Sequence, residues 1–325
     1  MTIGVIGAGA WGTALAQVLA AAGAGVTLWA REAEVVERIN QARENPLFLP
    51  GVTLSPAIRA TGTLAALAGA DALLVVCPAQ HVRAVLGALP PLDCPLILCA
   101  KGIEAGTLLL MSEVAGALHP AAPLAVLSGP TFAHEVAAGK PTALTLACAD
   151  APTRAALIAR FAGTPLRPYG SADVVGAEIG GAVKNVLAIA CGVVSGAGLG
   201  ENARAATIAR GFAEMTRFGV ARGGQAATLA GLSGLGDLVL TCSSTASRNF
   251  ALGMGLGQGR PAAALLADRR TVAEGAHTAP VLQAAAAQVG VEMPMVQAVC
   301  ALLDGAPVAG VVDALLSRPL KDEGV

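Results

Sequence analysis

Thr2-Ile-Gly-Val-Ile-Gly-Ala-Gly-Ala-Trp-Gly12 is the stretch that decides the fold. Residues 2–6 form a short β-rich run, Gly7-Ala-Gly-Ala-Trp-Gly12 follows at once, and Thr13 to Ala22 reads as a helix ended by Gly23. A Gly-x-Gly-x-x-Gly alone is a weak signal; between a strand and a helix each glycine has a task. Gly7 permits the tight turn, Gly9 lets the backbone approach a pyrophosphate, and Gly12 lets the helix lie close on the strand. The anion then rests on the N–H groups of the helix N-terminus. This predicts an N-terminal dinucleotide-binding domain.

A second strand, Gly25 to Trp29, leads into Ala30-Arg31-Glu32. An acid about 20 residues beyond the glycines takes ribose hydroxyls in NAD enzymes, whereas an arginine there accommodates a 2′-phosphate. Arg31 favours NADP(H), and the adjacent Glu32 keeps NAD(H) open. The rhythm continues with strands at 72–77, 96–99, 124–127, 142–147 and 166–169 and helices at 80–89 and 152–161, with an inserted loop at 44–56. Alternation of this kind implies a parallel sheet with right-handed crossovers and ligands at the C-terminal strand ends. Lys101 and the turn Ser128-Gly-Pro-Thr131 fall at such ends.

The bulk composition agrees with a large core. The chain has 325 residues, 54% hydrophobic and only 13% charged, which fits two domains. Aromatics are 3%, so the core is built from Ala, Val and Leu. A net charge of −1 carries no polyelectrolyte signature and argues against nucleic acid as a partner. Mean hydropathy is +0.65, yet the longest apolar run holds Lys184 and several glycines, which argues against an integral membrane segment. The start lacks the basic and apolar regions of a signal peptide. The seven cysteines are scattered without a Cys-x-x-Cys pair, a cytoplasmic pattern with no disulfide framework. The four histidines show no metal-ligand spacing, and no metal is expected.

After Tyr169 strand signals vanish. Residues 1–172 are expected to form the Rossmann-like α/β domain, and 173–325 an all-α second domain. Its entry is one long apolar helix, Val174 to Leu199, with Lys184 in Gly180-Gly-Ala-Val-Lys-Asn185. The residues three and four positions from Lys184 are Gly180, Gly181, Leu187 and Ala188, none of them charged. Taken alone, such a lysine is a snorkelling side chain. At the junction of a nucleotide domain and a helical one, it reads instead as a proton donor whose pKa burial would lower. The two glycines would clear room beside it for cofactor or substrate. Further on, Gly231-Leu-Ser-Gly-Leu-Gly-Asp237 places a carboxylate after a glycine-rich turn. Ser247-Arg248-Asn249 then offers hydroxyl, guanidinium and amide donors at a helix N-terminus, a layout suited to a phosphorylated ligand.

In this order Gly7-Ala-Gly-Ala-Trp-Gly12, Ala100-Lys-Gly102, Ser128-Gly-Pro-Thr-Phe132, Gly180-Gly-Ala-Val-Lys-Asn185, Gly236-Asp-Leu-Val-Leu-Thr-Cys242 and Ser247-Arg-Asn249 resemble the motifs of bacterial-type NAD(P)-dependent glycerol-3-phosphate dehydrogenases. The resemblance spans essentially the whole chain. It implies reduction of dihydroxyacetone phosphate to sn-glycerol 3-phosphate, supplying membrane phospholipids. By position it gives Lys184 the general acid/base role, with Asp237 orienting that lysine or the substrate. Lys101, Gly129, Thr131, Ser247, Arg248 and Asn249 would contact substrate. Ala10, Trp11, Arg31, Lys101, Ala133, Arg248, Val272 and Glu274 would contact cofactor beside Gly7, Gly9 and Gly12. Ala10 stands where relatives often carry serine, so only its backbone serves there. A helical second domain with much apolar surface suits a homodimer. The alternatives are a related lysine-dependent hydroxyacid dehydrogenase and a catalytically silent NADP-sensing protein.

Overall fold

The computed structural model describes residues 2–267, 273–319 and 322. The chain divides into two compact units, Met1–Lys101 with Leu109–Ala177, and Gly102–Leu108 with Glu178–Val325.

The first unit starts with β1 (Thr2–Ile6), α1 (Ala10–Ala21), β2 (Gly25–Trp29), α2 (Ala33–Ala42), β3 (Ile58–Thr61), β4 (Ala72–Val75), α3 (Val82–Gly87) and β5 (Leu96–Leu98). It continues with α4 (Met111–Leu118), β6 (Leu124–Ser128), α5 (Ala133–Ala137), β7 (Thr142–Ala147), α6 (Ala151–Ala159) and β8 (Leu166–Ser171). The eight strands form one sheet in the order β3-β2-β1-β4-β5-β6-β7-β8. The order in which successive strands are added reverses between the parallel neighbours β1 and β4, and open α/β sheets bind ligands at such switch points. Along β4, Leu74 packs into the core on one face and Leu73 and Val75 into that on the other. Burial on both faces is why these strands read as continuous apolar runs rather than alternating ones.

The sheet is not wholly parallel. β6 and β7 pair antiparallel, Leu127 opposite Leu146, while all other neighbours are parallel. A parallel crossover needs a connection that carries the chain back along the sheet. Here the connecting helix α5 has only five residues, about 7.5 Å of rise, and the chain re-enters the sheet in the opposite sense. Helix α1 also begins at Ala10 rather than Thr13, so the glycine loop runs directly into its first turn. Strand β3, four residues at the sheet edge, is too short to announce itself beside the loop that precedes it.

The second unit contains the greater part of α7 (Val174–Gly196), then α8 (Glu201–Ala221) and α9 (Ala226–Leu229). A π-turn over Leu232–Gly236 leads into α10 (Asp237–Cys242). α11 (Arg248–Gly257), α12 (Ala262–Leu266), α13 (Glu274–Gln288), α14 (Pro294–Leu303) and α15 (Val308–Leu316) complete it. By length and apolar composition α7 could cross a membrane, but most of it is buried inside the fold, as in a core helix. Asp173 caps its start, Oδ1 accepting the Gly176 N–H at 2.8 Å. Its glycines let α11 approach backbone to backbone. A Cβ on Gly192 would lie 2.1 Å from the Phe250 carbonyl oxygen, and one on Gly253 would lie 2.0 Å from that of Ile189. In segment 102–108 Leu108 adopts φ 59°, uncommon for a bulky residue, and its carbonyl accepts from Arg222 Nη1 at 3.3 Å.

Glu214 on α8 is 2% exposed, and both its carboxylate oxygens accept the Met295 N–H, at 2.9 and 3.1 Å. It thereby caps α14, whose Pro294 has no N–H of its own. Burial pushes this carboxyl up to about 7, against the pull of the Met295 and Val296 N–H groups and of Arg217 and Arg210. Between the ordinary glutamate value and about 7 the native state holds a proton that the unfolded chain has released, so stability falls as pH rises through that window. From pH ~5 to ~8 the wild-type unfolding midpoint should drop about 2–4 °C more than that of Glu214→Gln. Parallel profiles by differential scanning calorimetry would contradict this.

Candidate active site

The glycine loop is held from several sides. Gly7 has φ 112° and its N–H donates to the Trp29 carbonyl at 3.0 Å, linking the loop to the tip of β2. A Cβ on Gly12 would sit 1.9 Å from the Gly7 carbonyl oxygen, so only glycine permits this contact, whereas one on Gly9 would meet nothing within 4 Å. Gly9 is the N-cap of α1 and contributes no side-chain hydrogen bond, which leaves the first-turn N–H groups for an anion. These features fit a dinucleotide pyrophosphate. Ala10 and Trp11 lie in that first turn, both half-buried.

A residue the sequence reading passed over fixes this loop. Asn45, inside the segment read as an inserted loop, is fully buried. Its Nδ2 donates to the Ala8 carbonyl and to Thr13 Oγ1, both at 2.8 Å, and Thr13 Oγ1 in turn donates to Ala8 at 3.1 Å. The signal available was an amide side chain beside a proline in an otherwise apolar loop.

Arg31 follows β2, as expected, but it is engaged. Its Nε and Nη2 donate to Glu32 Oε1 at 3.1 and 2.8 Å, and its side chain is 75% exposed. At the C-terminal ends of β5 and β6, Lys101 Nζ and Thr131 Oγ1 both donate to the Gly129 carbonyl, at 3.4 and 3.3 Å. Gly129 lies so close to β7 that a Cβ would stand 2.8 Å from Leu144 Cα. Ala133 opens α5 directly after this turn. Lys101, Gly129 and Thr131 are therefore brought together within the first unit.

In the second unit the central feature is the Lys184–Asp237 pair. Lys184 is 7% exposed and Asp237 fully buried, with Nζ to Oδ1 at 2.5 Å. Thr241, one turn after Asp237, accepts from Lys184 Nζ at 3.0 Å and donates to the Asp237 carbonyl at 2.6 Å. Thr241 stands in the quoted Asp237-to-Cys242 motif, and its i+4 spacing from Asp237 was the unused clue. Gly180 does not open space beside the lysine. A Cβ there would lie 2.4 Å from the Ser233 carbonyl oxygen, so the room it makes is filled by the π-turn preceding Asp237. The glycine serves to bring lysine and aspartate helices together.

Ser247 caps α11, its Oγ accepting the Phe250 N–H at 3.3 Å. Arg248 is exposed at the first helical position, and Asn249 is buried against Asn185. Glu274 begins α13, and Val272 lies outside the described residues. Among the described residues no group of His, Cys, Asp and Glu is placed to hold a metal ion. None of the seven cysteines, all among the described residues, is in a disulfide.

Comparison with known proteins decides the family. The model for the N-terminal part of NAD-dependent glycerol-3-phosphate dehydrogenase matches residues 2–154, and that for the C-terminal part matches residues 173–312. The chain belongs to the NAD-dependent glycerol-3-phosphate dehydrogenase family. It is thus an NAD(P)-dependent oxidoreductase acting on a CH–OH group. A glycerol-3-phosphate dehydrogenase (NAD(P)+) of Sphingopyxis alaskensis is 62% identical over 322 residues, covering 99% of this chain and 98% of that protein. One from Rhodospirillum rubrum is 59% identical over 327 residues, covering 99% and 94%. Among solved structures, glycerol-3-phosphate dehydrogenase from Coxiella burnetii aligns with a TM-score of 0.93 at 38% identity, over 98% of this chain and 99% of that one.

Because Asn45 is fully buried with its amide on the glycine loop, Asn45→Ala should cost about 1–3 kcal/mol of stability by leaving buried partners unsatisfied. It should also weaken NADPH binding. Urea unfolding and a cofactor fluorescence titration check both, and an unchanged urea midpoint would contradict the role.

Proposed function

We propose that this chain reduces dihydroxyacetone phosphate to sn-glycerol 3-phosphate, and runs the reverse, with Lys184 as the group that gives and takes the proton at the C2 oxygen. The buried Lys184–Asp237 pair at 2.5 Å is the observation that carries this reading. A ketone oxygen gains negative charge as hydride reaches its carbon, and a preorganised ammonium in a low-dielectric site stabilises and then protonates it. Asp237 and Thr241 aim that ammonium. A bound NAD(P)H supplies the hydride, and the features that would hold it are the glycine loop, the α1 N-terminus, Arg31, Lys101, Ala133, Arg248 and Glu274.

The substrate phosphate suits Ser247, Arg248 and the α11 N-terminus, with Lys101, Gly129 and Thr131 completing the substrate contacts. A cytoplasmic enzyme feeding glycerophospholipid synthesis is part of the same reading. So is a homodimer: α15 buries none of its residues and leaves Leu316 78% exposed, the kind of apolar face a second copy covers.

For the cofactor, an exposed ion pair such as Arg31–Glu32 is worth at most about 1 kcal/mol, so Arg31 can leave Glu32 for a 2′-phosphate at small cost. Both cofactors are used on this reading, with NADPH preferred. Arg31→Ala should weaken NADPH more than NADH in KM measurements; equal losses would remove Arg31 as the reader of the 2′-phosphate.

Lys184→Ala should lower turnover of dihydroxyacetone phosphate by about a hundredfold or more while leaving NADPH affinity intact. Near-normal turnover would refute the lysine's role. A wild-type enzyme that oxidises neither NADPH nor NADH with the triose phosphate would refute the function itself.

A further inference from the structure

The ion pair that follows β2 is lopsided. Arg31 Nε and Nη2 both donate to one oxygen of Glu32, Oε1, at 3.1 and 2.8 Å. Among the described residues nothing donates to Glu32 Oε2, so half of the carboxylate is unspent. The two side chains also differ in freedom, Arg31 being 75% exposed and Glu32 only 32%. Glu32 is the N-cap of α2, and its carbonyl accepts the Val35 and Val36 N–H groups at 3.1 and 3.3 Å. Its side chain makes no capping bond, and glutamate is not a favoured N-cap residue. The helix therefore gives no reason for an acid here. Main chain and cover hold the carboxylate in place, and the guanidinium is the partner free to leave.

At this place in a dinucleotide fold an acid takes ribose hydroxyls and an arginine accommodates a 2′-phosphate. Here both residue types stand side by side, bonded to each other. Oε1 engages the Nε and Nη2 donors of Arg31, the kind of paired donors that a phosphate takes. We propose that Glu32 is a specificity-determining residue with two opposed effects. It competes with the 2′-phosphate of NADPH for Arg31, and it offers Oε2 to a ribose hydroxyl of NADH. With NADH the ion pair stays closed. With NADPH the guanidinium turns to the phosphate, and the carboxylate it leaves opposes a like charge. Use of both cofactors thereby resides in one exposed ion pair that opens for one of them. This deepens the proposed function and rests on Arg31 as the residue that meets the 2′-phosphate.

Glu32→Gln, Arg31→Ala and the double variant are compared with wild type by NADPH and NADH fluorescence titration without substrate. Competition predicts that Glu32→Gln lowers the NADPH Kd by about fivefold, the ceiling for an exposed ion pair. The same variant should raise the NADH Kd by about tenfold, since a charged acceptor is lost. Opposite signs separate this from a structural role, because a loosened corner between β2 and α2 would weaken both cofactors together. In the Arg31→Ala background the NADPH gain should shrink to what charge repulsion alone supplies, since no guanidinium is left to release.

If Glu32→Gln leaves the ratio of the two Kd values unchanged, or weakens both cofactors in step, the proposal is overturned. An equal NADPH gain with and without Arg31 also overturns it, because Glu32 then acts as a bare charge and not as a competitor. Equal losses of NADPH and NADH in Arg31→Ala remove the arginine as the reader and the competition with it. The titrations need no turnover. A wild type that binds both nucleotides but leaves the triose unreduced refutes the proposed reaction and not the role of Glu32.

Discussion

An ammonium and a carboxylate meeting inside an apolar helical unit set the terms for the rest of this structure. Removing both charges from water costs several kcal/mol per ion, and their attraction offsets this only with good geometry and further hydrogen bonds. Lys184 and Asp237 meet that condition: 2.5 Å apart, with Thr241 accepting from the ammonium. The geometry fixes α7 against α10, and it is Gly180 against the π-turn that sets their separation. Apolar pairs of similar volume often stabilise a core as well or better. Stability alone therefore gives little reason to keep these charges, and proton transfer gives a good one.

The composition explains how such a pair can be held rigidly with so few aromatics. Large rings fill volume but keep backbones apart, whereas Gly192 and Gly253 let α7 and α11 touch main chain to main chain. Close-packed helices of small residues have little slack, and interiors of this density resist displacement. A donor that must stabilise charge at the moment it forms gains from that stiffness, because reorganisation is settled during folding.

Much of this was legible in the sequence because it is local. The strand–glycine–helix context, the break in strand signals after Tyr169 and the isolation of Lys184 each depend on neighbours along the chain. What was not legible depends on partners far away in sequence. Asn45 reaches back 37 residues to the glycine loop, and Glu214 reaches 81 residues to cap α14. Neither carries a periodic signal. The reversed strand β7 hid for another reason: an α/β rhythm predicts parallel crossovers by habit, and only the shortness of α5 shows that this one cannot be made. Gly180 was read as making space for a ligand, when glycine in a helix equally means that another backbone fills it.

The polar groups of the second unit follow two opposite electrostatic designs. Lys184 is buried and matched by a countercharge, whereas Arg248 is exposed at a capped helix N-terminus. A phosphate carries its charge permanently, in water and out of it. It is best met by an exposed guanidinium and backbone N–H groups that need not desolvate it fully. A carbonyl oxygen is neutral until hydride arrives, and it is best met by a donor fixed in a low-dielectric pocket where transient charge is stabilised most. A triose phosphate carries its permanent anion apart from the reducible carbonyl, whereas a 2-hydroxyacid carries a carboxylate directly on the reacting carbon. With Lys184 on α7 and Arg248 on α11, the two designs stand on separate helices, which suits an anion set apart from the reacting carbon, as in a triose phosphate, over one bonded directly to it.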